Sequence, residues 1–428
     1  MSGDRKSGGP GGPSDQRAAP ESVPAVDSRL IVREEGFRGY VGEFRRKLRS
    51  GELGSLPVVV AIAIIWTVFG SLDSTFLSAQ NLSDLSQQIV GTGMIAVGIV
   101  FVLLLGEIDL SVGSVSGLCA AVFAVLNVLN GMNEWLALLV AIAGGAAVGL
   151  IQGFFFAKVG VPAFVVTLAG NLFWNGLMLQ VLGSTGTVNI PSESIVSKLY
   201  STIFHSPATA YVAAGVGVGL FLLASLQDAR RRQTAHVPSR PIAEIVLRTV
   251  VIGAIAFAAA YILNQYQGLP LALLIFLILL VVLDFVLRRT RYGRQIFAVG
   301  GNIEGARRAG ISVAFVRMSV FTVAGTMAAV GGIFLAGQIQ SASQTSGGGN
   351  LLMNVIAAAV IGGTSLFGGR GSVWSALLGA LVIGSIQSGM NIMGVSNAVQ
   401  FMITGAVLLA AVVVDSLSRR SQKAAGRA

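Results

Sequence analysis

Long apolar runs alternate with short polar interruptions along this chain. After residue 52 the pattern resolves into twelve apolar segments, starting near Leu53, Ile89, Ser111, Trp135, Pro162, Ala208, Ile242, Leu269, Phe315, Leu351, Val373 and Ala398. A helix needs about 20 apolar residues to cross a bilayer, so twelve crossings use roughly 240 residues. The pattern predicts an all-α polytopic membrane protein with about twelve transmembrane helices over residues 53–416. Only Gly106–Leu110 separates the second segment from the third, so these two read either as two full spans or as one broken pair. Glycines cluster inside several segments, at Gly91 and Gly93, at Gly144 and Gly145, and at Gly215, Gly217 and Gly219. Small residues there allow helix backbones to approach closely in lipid.

The ends of the chain follow other patterns. Residues 1–28 are rich in Gly, Pro, Ser and Asp without apolar periodicity, which predicts a disordered tail. No apolar core follows the first charges, so the stretch does not read as a signal peptide. Over residues 29–52, Phe37, Tyr40, Val41, Phe44 and Leu48 recur at helical spacing, with Arg38, Arg45, Arg46 and Arg49 between them. That spacing predicts a basic amphipathic helix lying on the membrane surface. Residues 417–428 form a second polar tail.

Charge sets the orientation. With twelve spans and a cytoplasmic N-terminus, 28 of the 29 Lys and Arg fall on the cytoplasmic side and only Lys198 falls outside. Both termini are therefore expected in the cytoplasm. The same bias accounts for the formal net charge of +10 without a nucleic-acid partner. With 54% apolar and 11% charged residues, a soluble domain is excluded. One cysteine, Cys119, and two histidines, His205 and His236, supply neither a disulfide nor a zinc ligand set. No Gly-Lys-Ser/Thr phosphate loop is present. No metal, cofactor or catalytic residue is expected.

Three polar stretches stand out. Glu107 and Asp109 lie between apolar segments, where an ionised acid in lipid costs roughly 2.5 to 3.5 kcal/mol. They sit either in a short cytoplasmic turn, with Asp109 capping the next helix, or in a broken helix that lines a permeation path. The loop 288–314 contains a short helix in outline. Asn302 suits its N-cap, Glu304 its first turn, Arg307 and Arg308 its last turn, and Gly310 a left-handed stop. Such a rigid cytoplasmic helix is something a motor subunit can grip. The third stretch, Ile361–Ser372, is a flexible Gly-rich turn, and its Gly362, Leu366 and Gly369 match the spacing of Gly106, Leu110 and Gly113, a weak sign of an internal repeat.

Amide side chains also occur within the apolar segments, among them Asn171, Asn175, Gln180, Asn354, Gln387, Asn391 and Gln400. For each, an interhelical hydrogen bond competes with a substrate contact. Asn171 and Asn175 share a helix face beside Trp174, as do Gln387 and Asn391, and such pairs suit a neutral polyhydroxyl solute better than an ion. No chain of buried acids and histidines suggests a proton relay.

Four motifs in this order carry a family resemblance: Gly106-Glu-Ile-Asp-Leu-Ser-Val-Gly-Ser114, Val161-Pro-Ala-Phe-Val-Val-Thr-Leu168, Ala298-Val-Gly-Gly-Asn-Ile-Glu304 through Gly310, and Ile361-Gly-Gly-Thr-Ser-Leu-Phe-Gly-Gly-Arg-Gly371. Together they resemble the permease subunits of monosaccharide ABC importers, most closely the xylose type, from about Leu53 to Arg420. The resemblance implies a permease in a bacterial inner membrane. Its implied partners are a cytoplasmic ABC ATPase, an extracytoplasmic sugar-binding protein, a second permease copy, membrane lipid and a monosaccharide substrate. It places the ATPase-coupling segment on Gly300, Asn302, Glu304, Gly305, Ala306, Arg307, Arg308 and Gly310. Candidates for the translocation path are Glu107, Asp109, Asn171, Trp174, Asn175, Asn354, Gln387 and Asn391. Many ribose-type relatives carry glycine where Glu107 stands, and the polar stretch Gln227–Pro241 with its flanking spans is longer than in ten-span members. A stand-alone secondary transporter or facilitator for a small polar solute is the competing expectation. A structural membrane scaffold would explain the spans but not the motif at 298–310.

Overall fold

The computed structural model describes residues 56–235 and 241–424. The tail expected at 1–28 and the amphipathic helix expected at 29–52 lie outside the described residues. The described chain is helical nearly throughout. It runs through α1 (Leu56–Leu72), α2 (Ala79–Leu104), α3 (Val112–Ala124), α4 (Glu134–Phe154), α5 (Ala163–Leu182) and the short α6 (Ile195–Ser201). It continues with α7 (Pro207–Thr234), α8 (Ile242–Asn264), α9 (Leu271–Arg289), α10 (Arg291–Gly301) and α11 (Ile303–Arg308). The last four are α12 (Val313–Ile339), α13 (Leu351–Ile361), α14 (Trp374–Ile392) and α15 (Asn397–Ala424). Two antiparallel ribbons join distant connections: β1 (Thr187–Asn189) pairs with β4 (Ser341–Ser343), and β2 (Ile203–Phe204) with β3 (Leu269–Pro270).

Among the described residues, nine helices are long and apolar enough to cross a membrane: α2, α3, α4, α5, α7, α8, α9, α12 and α14. Here α3 and α4 count together with the wider helical turns that extend them to Leu129 and Val159. The chain is an all-α polytopic membrane protein. The remaining three expected segments appear as shorter apolar helices, α1, α13 and residues Asn397–Val413 of α15. The last helix continues to Ala424, into the stretch expected as a tail.

One boundary moves for a physical reason. α2 begins at Ala79, ten residues before the apolar run at Ile89, because its first turn is capped by Ser78 and its Asn81 is satisfied inside the protein. The Ser78 hydroxyl accepts from the Asn81 N–H at 3.2 Å, and Ser388 Oγ of α14 donates to Asn81 Oδ1 at 2.7 Å.

Two four-helix sets interlock. α12 packs against α2, α3 and α4, while α2 packs against α12, α13 and α14. The order α2 to α5 is thus mirrored by α12 to α15. α2 and α12 run antiparallel, since Gly91 meets Leu335 and Gly98 meets Ala324 and Met327. Small residues set these crossings: a side chain at Gly149 would strike the Phe321 carbonyl, and one at Gly332 would strike Ser116. The Gly106 and Gly362 runs are not equivalent positions of this arrangement. Gly106 follows the first helix of its set and Gly362 the second of the other, and the two loops touch each other.

Candidate functional site

The loop after α2, the end of α10 and the loop after α13 meet backbone to backbone. The Gly369 N–H donates to the Leu104 carbonyl at 2.9 Å. Gly300 is pressed against the same carbonyl so closely that a Cβ there would overlap it. A Cβ on Gly368, which has φ +82°, would strike the Gly300 carbonyl and the Gly106 N–H, and Gly106 itself has φ +79°. Only glycine combines that conformation with that approach. Three stretches that are far apart in sequence thus share one junction.

The segment beyond the junction forms the helix that the sequence outlines. Asn302 Oδ1 accepts from the Gly305 N–H at 2.8 Å, Glu304 pairs with Arg307 at 2.9 Å, and Gly310 closes the turn at φ +78°. Asn302, Glu304, Gly305, Arg307 and Arg308 are exposed, whereas Ala306 is buried and faces the protein. α10 is held by Tyr292, whose hydroxyl donates to Ser319 Oγ of α12 at 2.9 Å. At the end of α9, Arg288 pairs with Asp284 at 2.8 Å and donates to Ser372 Oγ at 2.9 Å, just ahead of α14.

On the other side of the junction the chain turns inward through Glu107 to Ser111. Asp109 is almost wholly buried, and its Oδ1 accepts from the Ser111 N–H at 2.8 Å and from Ser111 Oγ at 2.6 Å. Ser111 Oγ accepts in turn from Gln152 Nε2 of α4 at 2.9 Å. Asp109 is therefore not the N-cap of α3, since Ser111 holds that position. Burial pushes the Asp109 carboxyl above the ordinary range, and the bonds from Ser111 offset part of this. Half-buried Glu107 is also pushed up by burial, while Arg317 opposes the shift. The Arg317 guanidinium lies over the Phe156 ring, 4.3 Å from its centroid.

Of the other path candidates, Trp174 lies closest to this network. Its buried Nε1 has no acceptor, and it borders Gly170 together with the Gln152 amide. Asn171 and Asn175 are half-buried at the edge of α5. Asn354 is buried in α13 with Oδ1 unpartnered, and Gln387 is half-buried in α14. Asn391 is exposed, and its Oδ1 accepts from Gln400 Nε2 at 2.9 Å. The structure joins Asp109 through Ser111 and Gln152 to the neighbourhood of Trp174, whereas Asn391 is engaged by Gln400. The sequence reading passed over Gln152, and the one signal for it was a lone amide in the Gly-rich face of α4. A cavity of about 240 Å³ lies toward the end of α12 opposite the coupling helix, lined by Ser116, Gly332, Ala336, Ser343, Thr345 and Ser346 among others. Among the described residues, no three His, Cys, Asp or Glu are grouped to hold a metal.

The family model described as "Branched-chain amino acid transport system / permease component" matches residues 81–412. The chain belongs to this permease family. The permease is 36% identical over 402 residues to the xylose transport system permease protein XylH of Escherichia coli (strain K12), covering 94% of this chain and 99% of that one. Its likeness to XylH of Haemophilus influenzae is 33% over 381 residues, 87% and 99% of the two chains. The ribose import permease protein RbsC of Escherichia coli (strain K12) is 31% identical over 372 residues, 87% and 97% of the two chains. No solved structure matches the permease.

Proposed function

We propose that the chain is the membrane-spanning subunit of an ATP-driven importer that carries xylose or a closely related monosaccharide across a bacterial inner membrane. The observation that carries this reading is the junction of Gly300 with Leu104 and Gly369, which ties an exposed, capped helix to the buried acidic segment. A cytoplasmic ATPase would grip Asn302, Glu304, Gly305, Arg307 and Arg308, with Gly300, Ala306 and Gly310 fixing the helix from behind. Movement of this helix would reach α2, α13 and the Glu107–Ser111 segment without an intervening flexible loop. An extracytoplasmic binding protein would deliver the sugar. The half-buried Asn171 and Asn175 would find partners on a second permease copy, and Asn354, Gln387 and Asn391 are further contacts along the path. The permease itself makes and breaks no covalent bond. Similarity along nearly the whole chain to proteins named for xylose transport supports a pentose over other cargo.

Twelve spans with both termini in the cytoplasm complete the proposal, supported by the distribution of basic residues. Cysteines placed one at a time at Ser346 and Ser421 in a Cys119-free background test it. An impermeant thiol reagent added outside is expected to label the first and spare the second. Protection of position 346 together with labelling of 421 would reverse the orientation.

A further inference from the structure

The hairpin α7–α8 meets the membrane domain through α8, which packs against α2. α7 packs along α8, but α7 and α9 do not pack against each other along their lengths. Among the described residues, the hydrogen bonds and strand pairing that join them lie near their ends. At one end β2 pairs with β3, and His205 Nδ1 lies 3.0 Å from the Gln267 carbonyl. At the other end Arg289 of α9 reaches across to α7, where it donates to the Ala224 carbonyl at 3.1 Å and lies 3.6 Å from Asp228.

Between these ties the facing sides are open and apolar. Phe285, Val282 and Ile278 stand four, seven and eleven residues before Arg289, on the same face of α9, and each is more than half exposed. On α7, Ala224, Phe221 and Gly217 stand at the same spacings before Asp228, and a Cβ on Gly217 would meet nothing within 4 Å. The polar tie above this slot carries excess positive charge. Asp228 is shared between Arg289 and Arg232, the latter at 3.1 Å, and exposed Arg231 stands on the same face of α7. Counted with the neighbouring Arg288–Asp284 pair, four arginines stand against two carboxylates at this end, a net charge of two.

We propose that the slot between α7 and α9 binds one anionic phospholipid, with an acyl chain along Ile278, Val282, Phe285 and Gly217 and its phosphate at Arg231, Arg232 and Arg289. An apolar slot that ends in arginines at headgroup level matches a diacyl anion at both ends, whereas a neutral lipid leaves the guanidiniums unmet.

Native mass spectrometry of the full chain in detergent, incubated with phosphatidylglycerol or phosphatidylcholine, reads the bound lipid directly. One phosphatidylglycerol per chain is expected, retained about tenfold better than phosphatidylcholine. Replacing both Arg231 and Arg232 with Gln is expected to erase that preference. Gly217→Phe fills the slot where space is open, so it is expected to lower retention of either lipid while the melting temperature stays at the wild-type value. Equal retention of the two lipids by the wild type would overturn the proposal. So would an unchanged preference in the double variant. Full retention in Gly217→Phe, with inorganic phosphate competing the lipid off, would reduce the site to a bare anion site and reject the lipid.

Discussion

The Gly369 N–H donates to the Leu104 carbonyl at 2.9 Å, and Gly300 lies against that same carbonyl. One oxygen at the end of α2 thereby joins the loop after α13 to the segment that precedes the exposed helix α11. The oxygen is approached from two sides, so none of the three segments can shift without the others unless the contact is lost.

Gly300→Ala tests that contact. The added methyl would overlap the Leu104 carbonyl and crowd the Gly369 N–H, both of them backbone, so relief requires moving whole segments. A loss of about 1–3 kcal/mol is expected, read as a lowered melting temperature in detergent, together with loss of uptake. Gly301→Ala is the control: its Cβ meets nothing within 4 Å, and no change is expected.

The two central positions of α11 should separate docking from folding. Gly305 is exposed and a side chain there crowds only the capping Asn302 amide, so Gly305→Trp is expected to cost about 1 kcal/mol of stability or less while uptake no longer follows ATP hydrolysis. Ala306 is buried, and Ala306→Trp is expected to destabilise by about 1–3 kcal/mol. Parallel melting, ATPase and uptake measurements distinguish the two outcomes.

Asp109 should report its burial through pH. Its pKa is raised by burial, so folding favours the protonated acid relative to the unfolded chain. That contribution to stability is full below the ordinary value of about 3.9 and is lost as pH rises through the raised folded value. The melting temperature is expected to fall with rising pH across this window, and Asp109→Asn to flatten the slope, because a neutral amide still accepts from Ser111. Asp109→Ala leaves the buried Ser111 N–H without that acceptor and is expected to cost about 1–3 kcal/mol at any pH.

Much of this was legible in the sequence, because apolar run length and helix caps are local properties. The twelve segments, the Asn302 cap and the Gly310 stop follow from residues within a few positions of each other. The junction at Leu104 was not legible, since glycines at 106, 300 and 368 reveal a mutual contact only once the chain has folded. The early start of α2 was hidden for the same reason. Its polar turns look like loop until Ser388 arrives from the far end of the chain. Asp109 precedes a helix, so in sequence a cap and a broken path-lining helix fit it equally, and only the fold shows Gln152 extending its network through Ser111.

In the proposed mechanism, ATP hydrolysis outside this chain drives sugar through it by way of α11. Uptake of labelled xylose into vesicles holding the permease with its ATPase and binding protein tests this most directly, with ATP supplied and with sodium and proton gradients collapsed or imposed. Uptake is expected to require ATP, to persist without gradients and to disappear in Gly305→Trp. Uptake driven by a gradient in the absence of ATP and untouched by Gly305→Trp would contradict this mechanism and identify a secondary transporter.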